Sequence, residues 1–277
     1  MTLSMLNVRA CTTILVLTAA SGCGSGEQVD PGNGNNSGVV GADSDGDPNT
    51  GVSNADDSAS QTQLVTHALQ IVGMGLTAIR PSIDPEALFA PSDGFNACPS
   101  VEALAVQDRI EATLSYGSGC IPLAVDPVVF SGQVGSLLYP SIGALEHTLS
   151  GIQVNAVHLS GSLSGSQFQE GGSVLMFLSV DLEETNGVSA RGLIDVEVPL
   201  VGASILMTNF TLVMETAEET VLEVSGSEVR IDPGTCDGFL PCTGSADVSV
   251  VGTSVEPVRM RISFHPTGAV AETLSEP

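Results

Sequence analysis

Residues 194–198 read Ile194-Asp195-Val196-Glu197-Val198, and this alternation of apolar and acidic side chains decides the fold. Successive side chains of a β-strand point to opposite faces, so the apolar residues line one face and the acids the other. One face on the core and one in water is typical of an antiparallel sheet. The stretch therefore predicts a half-buried strand in a mainly β protein.

The same period of two recurs on both sides of this strand. It is clear in residues 258–264 and weaker in residues 210–214, whereas residues 174–182 begin apolar on both faces, as a central strand does. Turn signals such as Thr185-Asn186-Gly187 and Asp232-Pro233-Gly234 separate the runs. About eight to ten strands at this spacing predict an antiparallel sandwich, a barrel or an extended meander.

One N-terminal helix is predicted before the strands, over residues 63–79. Apolar side chains recur there at helical spacing, and Arg80-Pro81 ends the run. Gly73 and Gly75 lie inside it and oppose the helix, because each costs about 1 kcal/mol relative to alanine.

The N-terminus has the pattern of an export signal. Arg9 is followed by the apolar residues 12–19, and the small residues Ala20-Ser21-Gly22 precede Cys23. A basic start, an apolar run and small residues at the cut site are typical of a secretion signal.

The string Ala20-Ser21-Gly22-Cys23 resembles the lipobox of bacterial lipoproteins. That resemblance implies a signal peptide over residues 1–22 and a lipid on Cys23. It also implies a membrane-anchored lipoprotein of the bacterial cell envelope that faces the periplasm or the cell surface. The alternative is an ordinary signal peptide cut near residues 20–22, with Cys23 incidental.

Residues 23–60 are predicted to form the lipidated cysteine and a disordered acidic linker, and residues 61–277 a single β-rich domain. The linker is almost entirely small or polar and cannot bury enough apolar surface to fold. Within it, Asp43-Ser44-Asp45-Gly46-Asp47 looks like the start of a calcium loop. Pro48 and Asn54 occupy the positions where an EF-hand needs Gly and Glu, so a solvated linker is favoured.

Four cysteines remain after Cys23 is assigned to lipid, namely Cys98, Cys120, Cys236 and Cys242. An even number in an exported protein indicates disulfides. The three possible connectivities stay open, and nearness in sequence favours Cys98 with Cys120 and Cys236 with Cys242. No two of these cysteines have the C-x₂₋₄-C spacing that is usual in zinc sites.

The string Ser115-Tyr116-Gly117-Ser118-Gly119-Cys120 resembles a strand, glycine turn and cysteine pattern found in uncharacterised bacterial secreted lipoproteins. The resemblance covers roughly 25 residues around this string. It implies no activity, and its physical interpretation is a strand whose end is turned by glycines and fastened by Cys120.

The composition limits the partners. The net charge is −25 and all seven basic residues are arginines, so phosphate backbones are repelled and nucleic-acid binding is not expected. Aromatic residues make up only 4% and tryptophan is absent, which argues against a sugar-binding module. The expected partners are the membrane, through Cys23, and an unknown envelope protein or ligand.

No catalytic site, metal or cofactor is predicted. The histidines His67, His147, His158 and His265 lack metal-ligand spacing, although His147 and His158 face one side if their strands pair. The acidic pairs Glu183-Glu184 and Glu218-Glu219 are expected at strand ends in water.

Two function classes remain from the sequence. The first is a non-catalytic structural or interaction module, with exposed strand edges as the place for a partner. The second is a carrier whose β-barrel cavity holds an apolar ligand.

Overall fold

The computed structural model describes residues 53–89, 98–121, 128–216, 220–236, 238–251 and 259–274. All of them belong to one compact unit, Pro48–Pro277. The expected signal peptide, the lipid site Cys23, the calcium-like string and the acidic pair at residues 218–219 lie outside the described residues.

Twelve strands follow one helix in the described chain. The helix is α1 (Ser53–Ile79), and two 3₁₀ turns, Arg80–Ser82 and Ala87–Phe89, follow it. The strands are β1 (Ser100–Val106), β2 (Arg109–Cys120), β3 (Phe130–Tyr139), β4 (Ala144–Val154), β5 (Val157–Glu170), β6 (Ser173–Glu184), β7 (Ser189–Pro199), β8 (Ile205–Glu215), β9 (Val221–Ile231), β10 (Pro241–Val251), β11 (Arg259–His265) and β12 (Gly268–Thr273).

Each strand pairs antiparallel with the next, from β1 to β12 and without a crossover. The prediction of a mainly β antiparallel protein with one N-terminal helix is confirmed. Of the three architectures that the sequence left open, the described strands form the extended meander, as one open sheet with β1 and β12 at its edges.

Helix α1 ends at Ile79 as predicted but begins at Ser53, ten residues before the predicted start. The first turns therefore fall in the segment that the sequence assigned to the linker. A search for apolar periodicity cannot detect these turns, because they are polar. Their sequence, Ser53-Asn54-Ala55-Asp56-Asp57, does carry the capping-type residues and the early acidic residues that favour a helix N-terminus.

The C-terminal third of α1 is buried on every side. Residues 71–79 are buried without exception, and the helix contacts β3, β4, β6 to β10 and β12. A helix that lies on a flat sheet would keep one face in water, with apolar residues on the other face only. The sheet therefore curves around α1, and the helix fills its interior.

The inward-facing side chains of the strands form the rest of this core, since every second residue of a strand points to the same face. Along β6 every second residue from Val174 to Leu182 is buried, and the residues between them are mostly exposed. The strand Ser189–Pro199, which contains the Ile194–Val198 alternation, buries Ile194, Val196 and Val198 as its sequence predicts.

Gly73 and Gly75 are explained by close packing. A Cβ atom at Gly73 would lie 2.7 Å from Cδ1 of Ile231, and one at Gly75 would lie 2.9 Å from Cδ1 of Leu182. Both distances are shorter than carbon–carbon contacts allow. The two glycines that oppose helix formation locally thus let β6 and β9 approach the helix closely.

Replacing Gly75 with leucine tests this packing. We expect Gly75→Leu to lower the free energy of unfolding by about 1–3 kcal/mol, because extra methylenes in a filled core force neighbouring side chains to shift. Urea unfolding followed by circular dichroism measures the change.

The matched control is Gln63→Leu, at an exposed position of the same helix. It should stay within about 0.5 kcal/mol of the wild type. Equal unfolding free energies for the two variants would contradict the close approach of β6 to α1.

Candidate functional site

Both expected disulfides are present and follow the pairing that sequence nearness favoured. Cys98 is bonded to Cys120, which joins the chain just before β1 to the end of β2, and Cys236 is bonded to Cys242 between β9 and β10. In the chain-entropy model, a loop as long as the first stabilises the fold by about 3 kcal/mol.

The glycines next to Cys120 turn the end of strand β2, as the sequence predicts. Gly117 and Gly119 have φ values of +59° and +136°, which side chains rarely adopt, and the pairing of β2 with β3 shifts register there. The motif therefore bends and fastens the end of a strand.

A cleft of about 930 Å³ lies between α1 and the turns at one end of the sheet. Most of its lining side chains are polar and neutral, namely Thr62, Thr66, Gln70, Asn186, Thr216 and Thr220 among others, but apolar atoms form the larger part of its surface. His67 also lines it, and its Nε2 atom lies 2.6 Å from Oε2 of Glu184. Sequence reasoning did not predict this pair.

Glu184 corrects the expectation that both members of the pair Glu183-Glu184 meet water. Glu183 is exposed, but Glu184 continues the inward series of β6 and is only 3% exposed. Its buried carboxylate has two partners, because Nδ2 of Asn186 donates to Oε1 at 3.0 Å and His67 binds Oε2. The alternation of β6 could have indicated this, because its even-numbered residues face the interior and residue 184 continues that series.

The His67–Glu184 pair links α1 to the turn between β6 and β7. The other ring nitrogen of His67, Nδ1, lies 3.3 Å from Oε1 of Gln70, so both nitrogens have partners. None of the hydrogen bonds of His67 in the described part of the chain leads to a hydroxyl or a thiol. The two contacts hold the ring of His67 between α1 and the end of β6.

A second histidine caps the C-terminal end of α1 through two serines. The hydroxyl of Ser82 donates to the carbonyl oxygen of Ile79 at 2.6 Å, and the hydroxyl of Ser136 donates to Ser82 at 3.2 Å. Ser136 accepts in turn from Nδ1 of His147 at 2.9 Å. The last carbonyl groups of a helix have no hydrogen-bond partner within the helix, and Ser82 supplies a donor for that of Ile79. Tyr116 does the same for the carbonyl of Ala78, at 2.8 Å.

The direction of these bonds fixes the state of His147. Because the hydroxyl hydrogen of Ser136 is donated to Ser82, the hydrogen between Ser136 and His147 belongs to Nδ1 of His147. In the neutral ring Nε2 is then unprotonated. Nε2 is buried with no hydrogen-bond partner in the described chain. Burial lowers the pKa of His147 from 6.5 to about 4 because the charged ring would lose its hydration.

The structure does not bring His147 and His158 together. His147 faces the interior of the sheet, whereas His158 is exposed on the neighbouring strand β5, and His265 is exposed on β11. Throughout the described residues, no three His, Cys, Asp or Glu side chains are placed to hold a metal ion.

The chain matches no family model, no curated protein and no solved structure. None of the described helical residues form a segment with the length and hydropathy needed to cross a bilayer. A functional proposal must therefore be based on the chain's own sequence and side-chain geometry.

Acidification should destabilise the fold through His147. The unfolded chain binds the proton with a pKa near 6.5 and the folded chain with a pKa of about 4, so the unfolded state holds more protons between these values. We expect a loss of about 3 kcal/mol from this group as the pH falls from 6.5 to 4, and no contribution above 6.5. Urea unfolding at a series of pH values measures it.

The comparison that isolates the effect is His147→Gln against His158→Gln. The first variant should lose this part of the pH dependence, and the second should keep the wild-type slope because His158 is exposed. An unchanged slope in His147→Gln would show that another group is responsible.

Proposed function

We propose that the protein is an exported lipoprotein of the bacterial cell envelope. A lipid on Cys23 anchors it to the membrane, and its β-domain faces the periplasm or the cell surface. The domain acts there as a non-catalytic structural or interaction module. Two disulfides in a chain with an export-type N-terminus support the oxidising location.

The observation that carries the module hypothesis is the occupied interior. Buried side chains of the strands pack against α1, which itself contacts β3, β4, β6 to β10 and β12. A carrier would need that volume for its ligand, so the alternative of an apolar ligand in a barrel cavity gains no support from the described core. The surfaces left for binding are then the outer face, the edges of the sheet and the cleft beside α1.

The edge strand β1 fits such a role. It pairs only with β2 among the described strands, none of its residues is buried, and Leu104 is 62% exposed. Unpaired backbone groups on an edge can accept a further strand from a partner. The charge of −25 favours a partner that carries basic residues over a nucleic acid.

Metabolic labelling tests the anchor. Expressed in a bacterial host with a fatty-acid analogue, the wild type should incorporate the label and fractionate with membranes. Cys23→Ser should lose both properties, because the thiol is the acylation site that the lipobox-like string implies.

Cys11→Ser is the matched control, since Cys11 precedes the apolar core of the signal and should be removed with it. It should label like the wild type. If Cys23→Ser still labels and still fractionates with membranes, the lipoprotein proposal fails.

A further inference from the structure

The outer face of the sheet carries an exposed apolar patch on β5, β6 and β7. Phe168 and Phe177 are each 47% exposed and Leu193 is 66% exposed, and Leu175 lies beside them. We call Phe168, Leu175, Phe177 and Leu193 the outer patch.

Strand register places the members of the outer patch side by side. Phe168 lies opposite Leu175, and its ring stacks on that of Phe177 with centroids 5.8 Å apart. Leu193 lies opposite Ser179, two residues from Phe177 along β6 and on the same face. Side chains that are diagonal neighbours on one face of a sheet are within reach of each other.

The outer patch contrasts with the rest of its surroundings. On β5 the outward positions before Phe168 are serines, at residues 160, 162, 164 and 166. The chain has only eight phenylalanines, and two of them are half in water here. A contiguous exposed apolar group on a polar face is typical of a binding surface.

A shallow groove of about 580 Å³ begins at the outer patch. Leu193 and Asp195 form one end, and Asp247 and Arg261 form the other. The side chains in between are uncharged and most are short, such as Thr211, Ser225, Ser227 and Ser245, although Phe210 also lines the groove. The groove therefore offers room and hydroxyl groups for an extended segment next to the apolar side chains.

The charges beside the patch select the partner. Asp195 lies opposite Phe177 and Glu197 lies opposite Leu175, and neither carboxylate has an ion pair in the described chain. Asp247, at the far end of the groove, is already paired with Arg261, with an N–O distance of 2.7 Å. Two carboxylates without a salt-bridge partner among the described residues therefore lie next to the outer patch, where they attract a cation.

Two other occupants are disfavoured by the same charges. A second copy would bring another chain of net charge −25 against the patch, and an anionic bilayer would be repelled in the same way. A basic and apolar protein segment gains from both features, because its apolar side chains cover the rings and its cations meet Asp195 and Glu197.

We propose that the outer patch and its groove bind an extended segment of a partner protein in which apolar residues alternate with lysine or arginine. The apolar side chains lie over Phe168, Phe177 and Leu193, and the chain continues along the groove of serines. This inference rests on the proposed function as an interaction module and assigns the contact to the outer face in place of the β1 edge.

The test uses the mature chain from residue 23 onward with Cys23→Ser, so that no lipid is present. The probes are a short fluorescent peptide that alternates Leu or Phe with Lys, and its counterpart with Glu at every Lys position. Fluorescence anisotropy at low and physiological salt gives the dissociation constants.

We expect the Lys peptide to bind and the Glu peptide not to bind. Phe168→Ser with Phe177→Ser should weaken binding about tenfold or more, as loss of an aromatic anchor does. Asp195→Asn should weaken it less and reduce its dependence on salt. Val201→Ser, which removes an exposed apolar side chain outside the patch, should leave binding unchanged.

Other outcomes overturn the inference in distinguishable ways. Absence of binding by the Lys peptide, or equal binding of the Glu peptide, contradicts the assigned partner chemistry. If Leu104→Ser abolishes binding and the double Phe variant does not, the contact is the β1 edge, and the interaction module survives without this surface. If sedimentation shows a dimer that is lost in the double Phe variant, the patch mediates self-association. If anionic vesicles bind through the patch, it contacts a membrane.

Discussion

The enclosure of helix α1 by the sheet is the constraint on which the rest of the structure depends. Nine consecutive residues, 71–79, are buried, and a helix with no polar face is stable only when it is surrounded. The strands need the helix equally, because their inward Leu, Val, Ile and Met side chains have no second sheet to cover them in the described fold. Neither part buries its apolar surface alone.

This mutual burial also decides where polar groups lie and what remains for binding. The helix ends inside the protein, so its last carbonyls are satisfied by Tyr116 and by the chain from Ser82 to His147. The middle of the helix is fixed to the sheet by His67 and Glu184. With the interior filled, the outer face, the edges of the sheet and the cleft beside α1 are the surfaces that the proposed module offers.

Much of the fold could be predicted, because the alternation of a strand and the short sequence separation of two bonded cysteines are local signals. Ile194 to Val198 reveals its buried face in the sequence itself, and the paired cysteines are near each other along the chain. The start of β6 does not reveal its buried face, because it is apolar on both faces although Phe177 is 47% exposed. The start of α1 could not be predicted from apolar periodicity, because its first turns are polar. The His67–Glu184 contact spans 117 residues, and the cap on α1 joins serines and a histidine from three elements. Such contacts depend on how the sheet curves, which no local pattern encodes.

Native-state hydrogen exchange of the backbone amides tests the central claim most directly. If α1 is enclosed, the amides of residues 71–79 should exchange only through global unfolding, with the same free energy as the central strands β6 to β8 and as urea unfolding. The edge strands β1 and β12 should exchange more easily, since each has a neighbour on one side only. Exchange of residues 71–79 at a much lower free energy than the central strands would contradict the account, because it would show that the sheet persists without the helix inside it.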